Sequence, residues 1–168
     1  RFMNKEKFRL DMQGAIFDLD GTLFDSMWVW NQVDLDFLGK RGFEVPDDYT
    51  KAIAHMDAHR TARYTIDRFG LSEDIDDIVN EWFEMAKDKY AYDVICKQGA
   101  YEYVEKLHNQ GVKIAIATSS DKVLFEKTLE HTGLNKFIDA VVMVKEVNKG
   151  KSHPDVYLEA ARRLGTNP

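Results

Sequence analysis

The hydrophobic and polar pattern divides the chain into three stretches. The first is a short apolar run, Gly14-Ala15-Ile16-Phe17, that leads directly into Asp18-Leu19-Asp20-Gly21-Thr22-Leu23-Phe24-Asp25. In a strand, residues i and i+2 share one face, so Asp18 and Asp20 are delivered together. Burying both charges without a cation or hydrogen bonds would be costly. The pair is therefore expected at the open end of a sheet, where parallel α/β sheets bind ligands. Taken alone, an apolar run followed by Asp-Gly also reads as a strand ending in a turn.

The second stretch is helical throughout. From Ser26 to Leu38, Trp30, Val33 and Phe37 recur at helical spacing, and Lys40, Arg41 and Gly42 mark the end of that helix. A short helix is expected near Pro46-Asp47, and a third from about Asp57 to Phe69, stopped by Gly70. Ser72-Glu73-Asp74 opens a fourth, which carries Ile75, Ile78, Val79, Trp82 and Ala86 on one face and acidic residues at its N-terminal end.

In the third stretch the pattern changes to alternation of strands and helices. Ala100 to Gln110 is amphipathic through Tyr101, Val104 and Leu107. Val112 to Ala117 is a β-branched strand followed by Thr118-Ser119-Ser120-Asp121 as turn and helix cap, and helix 121–131 ends at Gly133. A further strand, Ala140 to Val144, leads through the loop from Lys145 to Pro154 into a helix from Asp155 to Leu164, which Pro154 can open as its first residue. This alternation predicts an α/β fold: a Rossmann-like three-layer parallel sheet with right-handed crossovers, interrupted by an inserted all-helical cap. The expected division is 1–25 and 95–168 for the α/β core and 26–94 for the cap.

Composition narrows the function classes. Of 168 residues, 44% are hydrophobic and 31% charged, ordinary values for a soluble globular protein. The net charge of −6 and the lack of a basic face argue against a general nucleic-acid binder. No apolar run approaches the ~20 residues of a membrane span, and the charged opening Arg1 to Arg9 lacks the apolar core of a signal peptide. Arg1-Phe2, ahead of Met3, is set aside from the fold reasoning. The expectation is a cytoplasmic protein with neither nucleic acid nor membrane among its partners. The single cysteine, Cys96, excludes an internal disulfide and reads as a small packed residue.

Two more features fall at the same end of the predicted sheet. Thr118 ends a strand, so its hydroxyl and the neighbouring amides can meet an anion, although Thr-Ser-Ser-Asp reads equally well as a helix cap. Lys151, in Gly150-Lys151-Ser152-His153-Pro154-Asp155, lies in a loop after another strand. In a chain of net charge −6, Lys151 is a local cation at the end of the sheet where the carboxylate pair is expected.

Together these residues resemble the haloacid dehalogenase superfamily, in its β-phosphoglucomutase-like branch with a helical cap. Asp18-Leu19-Asp20-Gly21-Thr22 matches the first motif, Asp-x-Asp-x-Thr; Thr118 matches the second and Lys151 the third, and the helical block lies where that branch carries its cap. The resemblance implies a magnesium-dependent phosphatase acting on a small phosphorylated metabolite, with a sugar-phosphate mutase as the enzymatic alternative. Asp18 would be the nucleophile that becomes an aspartyl phosphate, and Asp20 the acid/base. Thr118 and Lys151 would hold the phosphoryl oxygens. Mg2+ would be bound by Asp18 and by Asp20 through its backbone carbonyl. Gly21 and Ser119 would contact substrate, joined by His59, Arg60 and Arg63 from the third helix as contacts for an anionic group. The mutases of this branch keep a lysine shortly after the second motif, where this chain has Asp121 beside Lys122; that departure favours the phosphatase.

The fourth motif, an acidic cluster after a further strand, has no counterpart up to Pro168. This predicts the front part of a longer chain that lacks the C-terminal part of its sheet. Such a piece would bind magnesium weakly, turn over little and pair through an open sheet edge, whereas the complete protein is expected to be a monomer. A catalytically inactive interaction module is therefore another reading. A receiver-type signalling domain also combines an aspartate, a hydroxyl and a lysine on a parallel sheet. It gives no reason for the helical insert or for a second aspartate two residues on.

Overall fold

A computed structural model describes residues 12–166. The charged opening Arg1 to Arg9, the Arg1-Phe2 pair and the first residues of the expected core lie outside the described residues. The apolar run forms β1 (Gly14–Phe17), and after the carboxylate turn comes a two-residue strand, β2 (Phe24–Asp25). Four helices follow: α1 (Val29–Lys40), α2 (Tyr49–Ile53), α3 (Ala58–Phe69) and α4 (Ile75–Tyr92). The chain then returns through β3 (Ile95–Cys96) to α5 (Ala100–Asn109), β4 (Lys113–Thr118), α6 (Lys122–Thr132), β5 (Ala140–Met143) and α7 (Asp155–Leu164).

The main sheet is parallel, in the order β1-β4-β5. Strand parity builds its layers. Ile114 and Ile116 of β4 point into a cluster with Val104 and Leu107 of α5 and Leu124, Phe125 and Leu129 of α6. Ala115 and Ala117 point the other way, onto Val156, Ala160 and Leu164 of α7. The result is a helix-sheet-helix sandwich, the expected Rossmann-like α/β architecture. Small residues on the α7 side let that helix come close: a Cβ on Gly14 would meet Leu164 Cδ1 at 3.1 Å. Among the described residues β1 pairs with β4 alone.

The helical block leaves and re-enters through an antiparallel pair, Phe24 against Cys96 and Asp25 against Ile95, closed by the Lys97 N–H donating to the Leu23 carbonyl at 2.9 Å. Two-residue strands give no alternation to read, so the pattern along the chain does not predict this pair. The larger buried cluster runs without a break from α1–α4 into α5 and α6. At the contact, the Thr128 hydroxyl of α6 donates to the Tyr90 carbonyl of α4 at 2.5 Å.

Several boundaries differ from expectation for local reasons. The first helix begins at Val29 instead of Ser26, because Ser26 and Trp28 are drawn into the turn by hydrogen bonds to Asp20 and to the Asp25 carbonyl. That shift also moves the core stripe to Val29, Val33 and Phe37, leaving Trp30 47% exposed. Thr118 belongs to β4, Val144 starts a 3-10 turn instead of ending β5, and Pro154 sits just before α7. Helix α3 is bounded as its residues predict. The Asp57 carboxylate accepts from the Arg60 N–H at 2.8 Å, and Gly70 ends the helix at φ 64°.

Candidate active site at the end of the sheet

Asp18 follows β1 immediately, and the chain then turns sharply: the Leu19 carbonyl accepts from the N–H groups of Thr22, Leu23 and Phe24 at 3.1, 3.0 and 2.9 Å. Gly21 makes this turn possible. Its φ is 75°, and a Cβ there would meet Met27 Sδ at 3.0 Å. Buried Leu19 anchors the turn from within, so Asp18 and Asp20 flank it on the accessible side.

Each carboxylate is held through one oxygen. Asp18 Oδ1 accepts from the Leu19 N–H at 2.8 Å and pairs with Lys151 Nζ at 2.5 Å; Oδ2 takes part in neither contact. Asp20 Oδ1 accepts from the Ser26 hydroxyl at 2.7 Å and the Tyr90 hydroxyl at 2.6 Å; again Oδ2 takes part in neither. Burial first, then the hydrogen bond donated to Asp20 and the Asp20 charge, push the Tyr90 phenol well above its ordinary value. Tyr90 therefore stays a donor throughout the neutral range.

The register carries Thr118 to the same end. Phe17 pairs with Ile116, so the two residues after each reach the sheet's rim one strand apart, a spacing of about 4.8 Å. Thr118 is fully buried, and its Oγ1 accepts from the Ser120 N–H at 3.0 Å. That bond shapes the start of the following turn and leaves the hydroxyl hydrogen to donate elsewhere. Ser119, next to it, is exposed. Lys151 comes from the loop before α7 and is the cation that meets Asp18.

His59 and Arg60 are placed differently. Both are exposed on the first turn of α3, His59 facing Asp76 at 3.4 Å and Arg60 facing Asp57 at 4.0 Å. With Arg63, His59 lines a shallow hollow whose other walls are Asp74, Ile75, Asp76 and Asp77. Asp121 and Lys122, noted beside the second motif, also point to local partners, Asp121 to Lys145 and Lys122 to Glu126.

Ser26 and Tyr90 were not singled out from the sequence. For Tyr90 a signal existed: it extends the stripe Ile78, Trp82, Ala86 by one more step of four, so a hydroxyl rides at the end of a buried face and needs a partner.

The donor set at this turn suits a hard cation. Two carboxylates stand on one loop, and among the described residues no backbone N–H donates to the Asp20 carbonyl, which is therefore open to a ligand. Among the described residues there is no cluster of three or more acidic, His or Cys side chains.

Comparison with known proteins identifies the family. Residues 15–168 match the family of haloacid dehalogenase-like hydrolases. Among individual relatives, the chain is 30% identical over 158 residues to the chloroplastic protein SUPPRESSOR OF QUENCHING 1 of Arabidopsis thaliana, covering 92% of this chain and 15% of that protein. It is 27% identical over 160 residues to hexitol phosphatase B of Escherichia coli K12, covering 92% of this chain and 70% of the relative. Among solved structures, a Thermotoga maritima protein assigned as a beta-phosphoglucomutase superposes with a TM-score of 0.84 at 22% identity, over 94% of this chain and 73% of that one. The chain belongs to the haloacid dehalogenase-like hydrolase family and has the β-phosphoglucomutase-like fold.

Proposed function

We propose that this chain carries the active centre of a magnesium-dependent phosphatase that hydrolyses a small phosphorylated metabolite through an aspartyl phosphate. The observation that carries the reading is the meeting of Lys151 with Asp18 at the sheet's end, two residues from an Asp20 held by Ser26 and Tyr90. It is supported by relatives that are themselves phosphatases.

Asp18 attacks with Oδ2, the oxygen free of the Leu19 and Lys151 contacts. A bond forms from that oxygen to phosphorus as the ester P–O bond breaks, and protonated Asp20 gives its proton to the departing oxygen. In the second half, Asp20 takes a proton from water as the water oxygen bonds to phosphorus. The bond to Asp18 then breaks, releasing inorganic phosphate and restoring both carboxyls. Ser26 and Tyr90 fix Asp20 Oδ1, so Oδ2 is the oxygen that carries the proton. Lys151 offsets charge on the phosphoryl oxygens, and the Thr118 hydroxyl with the Ser119 amide donates to them. Asp18 and the Asp20 carbonyl would hold Mg2+, which supplies further charge neutralisation when bound.

The test is phosphate release by the protein expressed from its complete gene, with Mg2+, from a panel of phosphomonoesters, beside Asp18→Asn. Release that disappears in the variant supports the assignment; normal turnover by Asp18→Asn refutes it. Transfer of phosphate to a second sugar phosphate in place of release would identify a mutase.

A further inference from the structure

Lys151 reaches Asp18 from a loop that has little structure of its own. Within residues 148–153, one backbone–backbone hydrogen bond forms among the described residues, from the His153 N–H to the Gly150 carbonyl at 3.0 Å. Every residue of that stretch except Lys151 is exposed. A segment with so few contacts holds a side chain in place through its two ends.

The far end is α7. The near end is the 3-10 turn Val144–Glu146, and one side chain fastens it to α7. Arg163, in the last turn of α7, donates from Nη1 to the Val141 carbonyl at 2.7 Å, from Nη2 to Glu146 Oε1 at 3.0 Å and from Nε to Glu159 Oε1 at 2.9 Å. Glu146 Oε2 in turn accepts from the Met143 N–H at 2.7 Å. Val141 and Met143 belong to β5, so a single guanidinium joins strand, turn and helix. The Met143 N–H first, and Arg163 second, hold the Glu146 carboxyl below its ordinary value, so the pair stays ionised at neutral pH.

The strand end gripped in this way adjoins the site. Met143 pairs with Thr118 across β4 and β5. The contacts that fix the start of the Lys151 loop therefore also fix the backbone beside Thr118, and the two groups assigned to the phosphoryl oxygens share one support.

Neighbouring ion pairs are poorer candidates for this task. Lys145 meets Asp121, but these side chains are 61% and 49% exposed, and such a pair contributes little. Arg162 bonds to Glu159 on its own helix and, among the described residues, to nothing beyond it. Arg163 and Glu146 are each about one-third exposed, and the planar fork meets three acceptors at fixed angles, which an ammonium cannot reproduce.

We propose that Arg163 and Glu146 are positioning residues for the reaction: together they pin the start of the loop to α7 and so set where Lys151 meets Asp18 and the phosphoryl group. The proposal rests on the phosphatase reading above and deepens it.

The experiment is a double-mutant cycle on the complete protein, with Mg2+ and p-nitrophenyl phosphate: the parent, Arg163→Met, Lys151→Met and the double variant, with Arg162→Met as control and a thermal melt of each. Methionine keeps the apolar stem of the arginine and removes the fork. Arg163→Met is expected to lower kcat/KM about tenfold, the scale of a misplaced charge-stabilising group. In the Lys151→Met background the same substitution should cost less than about twofold, because a residue that acts through Lys151 has nothing left to act on. Arg162→Met should leave kcat/KM unchanged. Glu146→Gln, which loses one acceptor oxygen with little change of shape, should lower kcat/KM several-fold, again only while Lys151 is present, and it carries the cycle if Arg163→Met does not fold. Losses that multiply in either cycle, an unchanged kcat/KM in Arg163→Met or Glu146→Gln, or an equal loss in Arg162→Met overturn the proposal. Failure of the parent to hydrolyse the ester refutes the phosphatase reading and this proposal with it; hydrolysis with multiplying losses refutes this proposal alone.

Discussion

The rim of the sheet and the cavity between the inserted helices treat the same side chain in opposite ways. At the rim, Asp18 and Asp20 are fully engaged through one oxygen each, by Lys151 and a backbone N–H in one case and by two hydroxyls in the other. In the cavity, which α1 to α4 enclose, Asp34 is half-buried and, among the described residues, has no partner, and the Trp82 N–H likewise has no acceptor. The difference teaches what each region is prepared for. The rim supplies its own partners for its carboxylates, as the proposed mechanism requires, whereas the cavity supplies none for Asp34 or the Trp82 N–H among the described residues.

The strongest way to break this contrast is at the rim. Asp18→Asn should lower kcat by about a thousandfold or more, because the covalent route depends on that oxygen; steady-state phosphate release measures it. Lys151→Met, which keeps the length of the side chain and removes the charge, should cost roughly a hundredfold in kcat/KM, in the range seen for loss of one preorganised charge-stabilising group. Tyr90→Phe removes one of the two hydrogen bonds that hold Asp20 Oδ1, so kcat should fall about tenfold while the helix stays folded. A Tyr90→Phe enzyme with unchanged kcat would mean that Asp20 is positioned by Ser26 alone.

The smallest effect belongs to the cavity and has the opposite sign. Burial raises the Asp34 carboxyl from 3.8 to about 6, so the folded chain holds that proton more tightly than the unfolded chain does. Its contribution to stability is therefore most favourable below about pH 4 and declines as pH rises towards 6. Above that it is constant and unfavourable. Asp34→Asn should stabilise the protein at pH 7.5 by the order of 1 kcal/mol, once the shift is discounted for partial exposure. That amounts to a few degrees in Tm, with no gain at pH 4. Buried Tyr49, which faces Asp34 and is bonded to Thr65, stays neutral over this range and does not reverse the sign. Thermal melts at the two pH values check it. Equal shifts at both would show that the carboxylate carries no burial penalty.

The same contrast explains what the sequence could disclose. Asp18, Asp20, Thr118 and Lys151 sit at strand ends or in the loop that follows, so strand parity and a glycine turn bring them to one rim without knowledge of how the helices pack. The layers of the sheet were legible for the same reason, through the alternation of Ile114 and Ile116 with Ala115 and Ala117. Ser26 looks like the start of a helix, because nothing local indicates that its hydroxyl turns back six residues to Asp20. The partnership of Tyr90 with Asp20 spans 70 residues and depends on how α4 docks against α6. His59 and Arg60 drew attention as cations on a cap helix, but charge does not say which side of a helix faces the rim, and both point to acidic neighbours instead. Asp34 looks in the sequence like any polar residue on an amphipathic helix, and only packing reveals that it has no partner among the described residues.

The account stands most directly on the covalent bond assigned to Asp18. The complete protein should be mixed with substrate and Mg2+, quenched in acid within one turnover, reduced with borohydride and digested for mass spectrometry. An aspartyl phosphate is converted by that treatment to homoserine, and the account predicts this change at Asp18 and at no other carboxylate. Turnover without any reduced residue, or with the label at Asp20 and Asp18 intact, would contradict it.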